Sequence, residues 1–98
     1  KAEQQAHTDI WQFHQELKLN KIKHLMFNGN NHFGQIPQLN WGNNYIGPYQ
    51  KSLTFNTLVR ENGFKTVNPD SWHFGADAHC FWGKYLLQYI NNHNLLSE

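Results

Sequence analysis

An α/β domain, helices lying over a short parallel sheet, is the fold class this chain predicts. Three observations lead there. Apolar residues recur at helical spacing over 3–18 and 76–93, compact apolar runs at 22–27 and 64–68 read as strands, and a helical segment at 48–62 separates those runs. Strand, helix, strand in that order implies parallel strands joined by a right-handed crossover, with helices covering the sheet.

Each element has its own justification. In the first helix Ala6, Ile10, Phe13 and Leu17 form the periodic stripe, with Trp11 and His14 beside it and Asn20 placed to end it. Ile22-Lys23-His24-Leu25-Met26-Phe27 is apolar from Leu25 onward, as suits a strand buried on both faces, and Asn28-Gly29-Asn30-Asn31 is a strong turn signal after it. Residues 28–47 keep no period and read as a long polar and aromatic loop, the kind that is usually functional or mobile. Pro48 suits a first helical residue, Phe55, Leu58 and Val59 share one face, and Gly63 is a C-terminal cap. Phe64-Lys65-Thr66-Val67-Asn68 is the second strand. The last helix carries the clearest stripe: Ala78, Trp82, Tyr85, Leu86, Tyr89 and Ile90.

Composition narrows the function classes. Four Trp, four Tyr and seven Phe supply the core of a 98-residue chain, which at this size buries only about 60–65% of its unfolded surface. Thirteen Asn favour turns and loops. The formal charge is +1, and no cationic cluster exceeds Lys18, Lys21 and Lys23, so a nucleic-acid partner is not expected. No apolar run approaches the ~20 residues of a membrane span and no signal peptide is visible, so no membrane partner is expected. The single cysteine, Cys80, has no internal partner, lies among aromatics and reads as a buried structural thiol. Two strands fall short of the three a stable sheet normally needs, and the chain begins at Lys1. The expectation is therefore a single domain over 1–98, or the C-terminal part of a larger one with a homo-oligomeric partner or an N-terminal half completing it.

The chemistry concentrates in Asn68-Pro69-Asp70-Ser71-Trp72-His73-Phe74-Gly75-Ala76-Asp77-Ala78-His79. Asp70 stands three residues before His73 on one short turn, so a carboxylate can hold one imidazole nitrogen while the other accepts a proton from a nucleophile. In an α/β sheet ligands gather at the carboxyl ends of the strands. The turn follows the second strand and the long loop follows the first, which puts both at one end of the sheet. The bland alternative makes Asp70 a cap and His73 a surface or packing residue. His79, at the start of the last helix, is read as a partly buried histidine, as a residue hydrogen-bonding the turn, or as a metal ligand with His73, Asp70 or Asp77. Asn31, His32 and Trp72 are candidates for supporting the pair or lining a substrate loop. His32, Trp41, Tyr45 and Tyr49 suit sugar or peptide contact, or alternatively plug the loop onto the sheet. His7, His14, His24 and His93 show no partner pattern and read as structural or solvated.

Asp70-Ser71-Trp72-His73, then His79 six residues on and Trp82 in the following helix, resembles the last motif block of SGNH/GDSL-type esterases. The motif resemblance covers 68–86; the order of elements over 1–95 looks like the C-terminal half of that flavodoxin-like, three-layer α/β/α fold. The resemblance implies an ester or acyl hydrolase with Asp70 and His73 as catalytic residues of a Ser–His–Asp triad, a small-molecule or carbohydrate ester as substrate, and no cofactor or metal. The texture is also similar to divergent domains of marine phage genomes, which implies a cytoplasmic or virion-associated location. Two departures matter. Ser52, Ser71 and Ser97 are the only serines, and none lies on a strand-to-helix elbow. The Gly-x-Asn-Asp block is absent, and Gly29-Asn30-Asn31 reads as a turn. The nucleophile is therefore expected outside this chain. A non-catalytic α/β binding or assembly module is the alternative.

Overall fold

The computed structural model describes residues 2–34 and 36–97. Among them lie three α-helices, α1 (Ala2–Leu19), α2 (Phe55–Glu61) and α3 (Ala76–Asn92), and a two-stranded parallel sheet of β1 (Met26–Phe27) and β2 (Tyr45–Ile46). The fold is thus mixed α/β. Its thinnest dimension, 17 Å, accommodates two layers, since packed layers lie about 10 Å apart.

Helix α1 has no internal Gly or Pro, with Glu3 in its first turn and Lys18 in its last, each matching the helix dipole. It ends in a Schellman motif. Ile22 N–H donates to Leu17 C=O at 2.8 Å and Lys21 N–H to Lys18 C=O at 3.0 Å. The left-handed residue is Lys21, at φ 57°, one position after the expected Asn20. The inward face is also displaced from the expected stripe: His7 and His14 are buried, Ile10, Trp11 and Leu17 half-buried, and Ala6 and Phe13 exposed. Spacings of three, four and seven residues hold for His7, Ile10, Trp11 and His14 too. The partner on this face is an aromatic loop that accepts imidazole edges.

The expected strand at 22–27 shortens to its last two residues, because its partner is short. Met26 N–H donates to Asn44 C=O at 2.8 Å, and Asn44 Nδ2 reaches His24 C=O at 2.9 Å. Beyond β2 the chain turns sharply at Gly47, at φ 46°. This partner strand lies inside the stretch 28–47, read from sequence as loop. That stretch also supplies Phe33 and Trp41, which join Tyr45 in the first core cluster against Ile10, Trp11, Met26, Ile36 and Tyr49. Its aromatics therefore plug the loop onto α1 and the sheet.

Two further expectations are corrected. The helix over 48–62 is interrupted: a 3-10 turn covers Lys51–Leu53, Thr54 is extended at φ −70°, ψ 151°, and α2 begins after it. Thr54 is fully buried, and its hydroxyl donates to Lys51 C=O and accepts from Thr57 N–H, so a capping residue breaks what the apolar spacing would continue. Gly63 caps α2 as expected, at φ 91°, with Phe64 N–H donating to Val59 C=O. The segment 64–68 does not join β1. Thr66 instead pairs antiparallel with Phe74, because the chain reverses at once through Asn68–Ser71. The crossover unit built on these two strands is therefore not formed among the described residues.

The second core cluster is Val59, Phe74 and Ala78 with Phe55, Phe64 and Phe81, and it holds α2 on α3. The stripe of α3 faces inward as expected, with Ala78 and Trp82 buried and Tyr85, Leu86, Tyr89 and Ile90 half-buried. Cys80 lies off this stripe and is exposed, correcting its reading as a buried thiol.

Gly47 brings the backbone close against Leu53. A Cβ there would lie 2.6 Å from Leu53 Cδ1 and 2.7 Å from Leu53 Cβ, on a backbone already in the left-handed region. Gly47→Ala is expected to cost about 3 kcal/mol, from backbone strain plus overpacking, read as a lowered urea midpoint.

Candidate functional site

The Asp70–His73 turn is built from local hydrogen bonds. Pro69 sits at the second position of a β-turn closed by Ser71 N–H donating to Asn68 C=O at 3.2 Å. Asn68 Oδ1 accepts from Asp70 N–H at 3.0 Å, and Ser71 Oγ accepts from His73 N–H at 2.9 Å. Short polar side chains thus satisfy the backbone where no sheet does. Val67 N–H donates to His73 C=O at 2.9 Å, next to the Thr66–Phe74 bridge. Phe74, 6% exposed, fixes the base of the turn in the second core cluster, edge-on to Phe55 with ring centroids 5.5 Å apart. The Arg60 guanidinium lies 5.3 Å from the Phe74 ring centroid and 6.0 Å from that of Trp72, steadying the same base from outside.

The pinned turn projects Asp70 and His73 into solvent; both are exposed. Among the described residues no hydrogen bond joins their side chains, and neither side chain bonds any other group. The turn places acid and base side by side along the chain without closing them into a pair. Trp72, between them, is 67% exposed. His79 makes no hydrogen bond to the turn; its exposed ring stacks on Phe55 at 5.4 Å and 18°. Asn31 and His32 are exposed in the loop after β1, with no hydrogen bond or ring contact to the turn. No three His, Cys, Asp or Glu side chains converge as a metal site among the described residues.

One residue links the end of β1 to the turn. Phe55 N–H donates to Asn28 C=O at 2.9 Å, and Asn56 N–H to Gly29 C=O at 2.8 Å. The bend after β1, at Asn28 and Gly29, thereby abuts the start of α2. The Phe55 ring meets Phe74, His79 and Trp82. The exit of β1, the acid–base turn and the first turns of α3 are therefore neighbours through Phe55, although 64–68 is not in the sheet. Of the serines, Ser52 is exposed in the 3-10 turn, Ser71 lies in the Asp70–His73 turn with its Oγ accepting from His73 N–H, and Ser97 is exposed near the end of the described residues.

A second polar constellation lies inside the first core cluster, among histidines that sequence pattern left unpaired. His7 Nε2 and Tyr49 Oη are 2.8 Å apart, and the same hydroxyl accepts from Trp41 Nε1 and Leu39 N–H, each at 2.9 Å. His14 Nδ1 and His24 Nε2 are 2.8 Å apart. The signal that could have found them is the seven-residue spacing of His7 and His14, which sets both on one helical face. His14 also borders an open groove of about 580 Å³ shared with Trp11, Lys18 and Asn40. Burial pushes its pKa below the ordinary value, and His24 and Lys18 push the same way. Tyr45, buried and hydrogen-bonded to Asn28, is pushed up to about 12, mainly by burial and then by Tyr49, with the Asn28 bond opposing.

The lowered His14 value has a consequence for stability. The unfolded chain takes up this proton near the ordinary imidazole pKa of about 6.5, while the folded chain resists it. Stability is fully present above that value and falls as the pH drops below it toward the folded pKa. The thermal midpoint is expected to be lower at about pH 5 than at pH 7.5, and His14→Gln to flatten that dependence; an unchanged slope in the variant would contradict it.

No helix among the described residues is long and apolar enough to cross a membrane. Comparison with protein-family models, curated proteins and solved structures returns no match to this chain.

Proposed function

We propose that this chain carries the acid and base of an ester- or acyl-hydrolysing Ser–His–Asp site whose serine is supplied from outside these 98 residues. The observation that carries the reading is the turn itself: Asp70 and His73 stand three residues apart on a tip fixed at its base by Phe74, both open to solvent and neither committed to another partner. A histidine serving only packing would be covered, and an aspartate serving only as a cap would be bonded to backbone.

In this reading His73 takes the proton of the incoming serine and Asp70 orients and stabilises the imidazolium. Their separation in the free chain suits a site that tightens when nucleophile and substrate arrive. The serine-bearing segment also supplies the burial that strengthens the pair. The two-stranded sheet then belongs to a three-layer, flavodoxin-like α/β/α domain, and the substrate is a small-molecule or carbohydrate ester. His79 and Phe55 form the wall behind the turn, while Trp72, Asn31 and His32 lie where a substrate could meet them.

The test is turnover of p-nitrophenyl acetate. The 98-residue chain alone is expected to show none. A polypeptide joining it to a segment with a Gly-Asp-Ser elbow is expected to show turnover and to label with a fluorophosphonate at that serine. Turnover by the isolated chain would contradict the assignment of the nucleophile. A second reading, a non-catalytic assembly module, is favoured by one specific feature: among the described residues β1 pairs with β2 alone, and Phe27 on it is 42% exposed.

A further inference from the structure

Four residues that share one face of α1, Trp11, His14, Gln15 and Lys18, line the open groove of about 580 Å³, with Leu19 beside them and Asn40 from the loop. That volume lies within the range of about 300–1,000 Å³ that small-molecule sites occupy. What each wall offers follows from the bonds it already makes. His24 Nδ1 lies 2.9 Å from Ile22 C=O, which only accepts, so that nitrogen carries a proton. In the neutral ring Nε2 is then an acceptor, and His14 Nδ1, 2.8 Å away, donates to it. A neutral His14 therefore keeps its lone pair on Nε2. His14 is 2% exposed, yet this nitrogen bonds no described residue. Among the described residues the one side-chain donor or acceptor both fully covered and unpartnered is Trp82 Nε1, so His14 Nε2 reaches the surface, at the groove the ring lines. The Lys18 ammonium and the Gln15 amide also bond no described residue. Asn40 Oδ1 accepts from Gly42 N–H at 3.0 Å, which leaves its Nδ2 to donate. Trp11, half-buried, stands perpendicular to Trp41 with ring centroids 4.9 Å apart.

We infer that this groove binds a uronic acid unit, a pyranose ring that carries a carboxylate. Its groups select that chemistry one at a time. A lone pair held in the wall asks for a hydroxyl that donates, which a simple anion lacks. An unpaired ammonium asks for an anion. Two amides beside them ask for further hydroxyls, more than a monohydroxy acid supplies. The Trp11 indole, with Leu19 at the margin, offers an apolar surface to the C–H face of a sugar ring. Burial first, and then His24 and Lys18, hold the His14 pKa below its ordinary value, so the imidazole stays neutral and remains an acceptor. Packing against Trp41 fixes both His14 and Trp11 before a ligand arrives, so binding immobilises few side chains. The groove shares no residue with the Asp70–His73 turn, and the inference does not rest on that reading.

Titration of the 98-residue protein with sodium glucuronate at neutral pH, followed by its amide and indole NMR signals, tests it. The Trp11 indole N–H and the amides of Lys18 and Asn40 are expected to shift and saturate in the millimolar range, as suits so small a ligand. The indole signals of Trp72 and Trp82, outside the groove, should stay in place. Glucose, which lacks the carboxylate, and cyclohexanecarboxylate, which lacks the hydroxyls, are each expected to bind about tenfold more weakly or worse. This comparison needs no variant and so is independent of any variant's folding. Lys18→Gln should weaken glucuronate about tenfold with little change in the unfolding midpoint, whereas Lys84→Gln, exposed on α3, should bind it as the parent does. The methyl glycoside of the same acid separates two sources of the unit: undiminished binding assigns the end of an acidic polysaccharide, and lost binding the free sugar acid. No saturable shift at Trp11, equal affinity for glucose or for cyclohexanecarboxylate, or full affinity in Lys18→Gln would each overturn the proposal.

Discussion

His73→Ala is expected to lower ester turnover about 10²–10⁴-fold in a polypeptide that joins this chain to a serine elbow, the usual contribution of a general base. The loss should fall on kcat/KM for p-nitrophenyl acetate. The folding stability of the same variant should stay within about 0.5 kcal/mol of the parent, because the side chain is exposed and bonds nothing. That pairing of results separates chemistry from packing. A structural His73 would move the unfolding midpoint and the rate together, and a surface bystander would move neither. Asp70→Asn should follow the same pattern, since it keeps the turn, whose bond uses the Asp70 backbone N–H, and removes only the carboxylate charge.

Trp41→Ala is expected to cost about 3–5 kcal/mol, the range for deleting a buried large aromatic. Total stability is on the order of 5–15 kcal/mol for a domain of this length, so the variant should be largely unfolded at a urea concentration the parent tolerates. Trp41 is 4% exposed and contacts the rings of His7, Trp11, His14 and Tyr45 at centroid distances of 5.7, 4.9, 5.3 and 5.0 Å. Its Nε1–H also donates to Tyr49 Oη. It is the side chain that fastens the loop after β1 to helix α1. Trp41→Phe should cost less than Trp41→Ala, because a phenyl ring keeps part of the buried contact with His7, Trp11, His14 and Tyr45, while both variants lose the Nε1–H bond to Tyr49 Oη. Equal urea midpoints for the parent and Trp41→Ala would contradict this account of the first core cluster.

What could be read from the sequence divides along a physical line. The stripe of α3 was legible because long helices bury one face by simple period. Gly63 was legible because a left-handed cap selects glycine. The face of α1 was misplaced because a stripe of aliphatic residues was sought, whereas the core beside it is aromatic and takes the imidazoles of His7 and His14. Strand β2 was hidden because two residues have no period, and what fixes Tyr45–Ile46 is tertiary: Met26 on one side and Gly47 beyond. The 64–68 strand was assigned to the wrong partner because its composition shows extension but not pairing. The Asn68–Ser71 turn, whose side-chain bonds are local, sends it back onto Phe74. At the candidate site, the spacing of Asp70 and His73 and their exposed turn were legible. Their lack of direct contact was not, because spacing along the chain does not fix side-chain orientation on a solvated tip.

The most direct measurement of the central claim is imidazole rescue of His73→Gly in the serine-bearing polypeptide. The exposed tip leaves the vacated position open to a small base from solution. If His73 is the general base, the variant should lose turnover and regain a measurable part of it in proportion to added imidazole, with fluorophosphonate labelling of the serine recovering in parallel. A His73→Gly variant that hydrolyses ester as fast as the parent, or whose lost activity does not respond to imidazole, would contradict it.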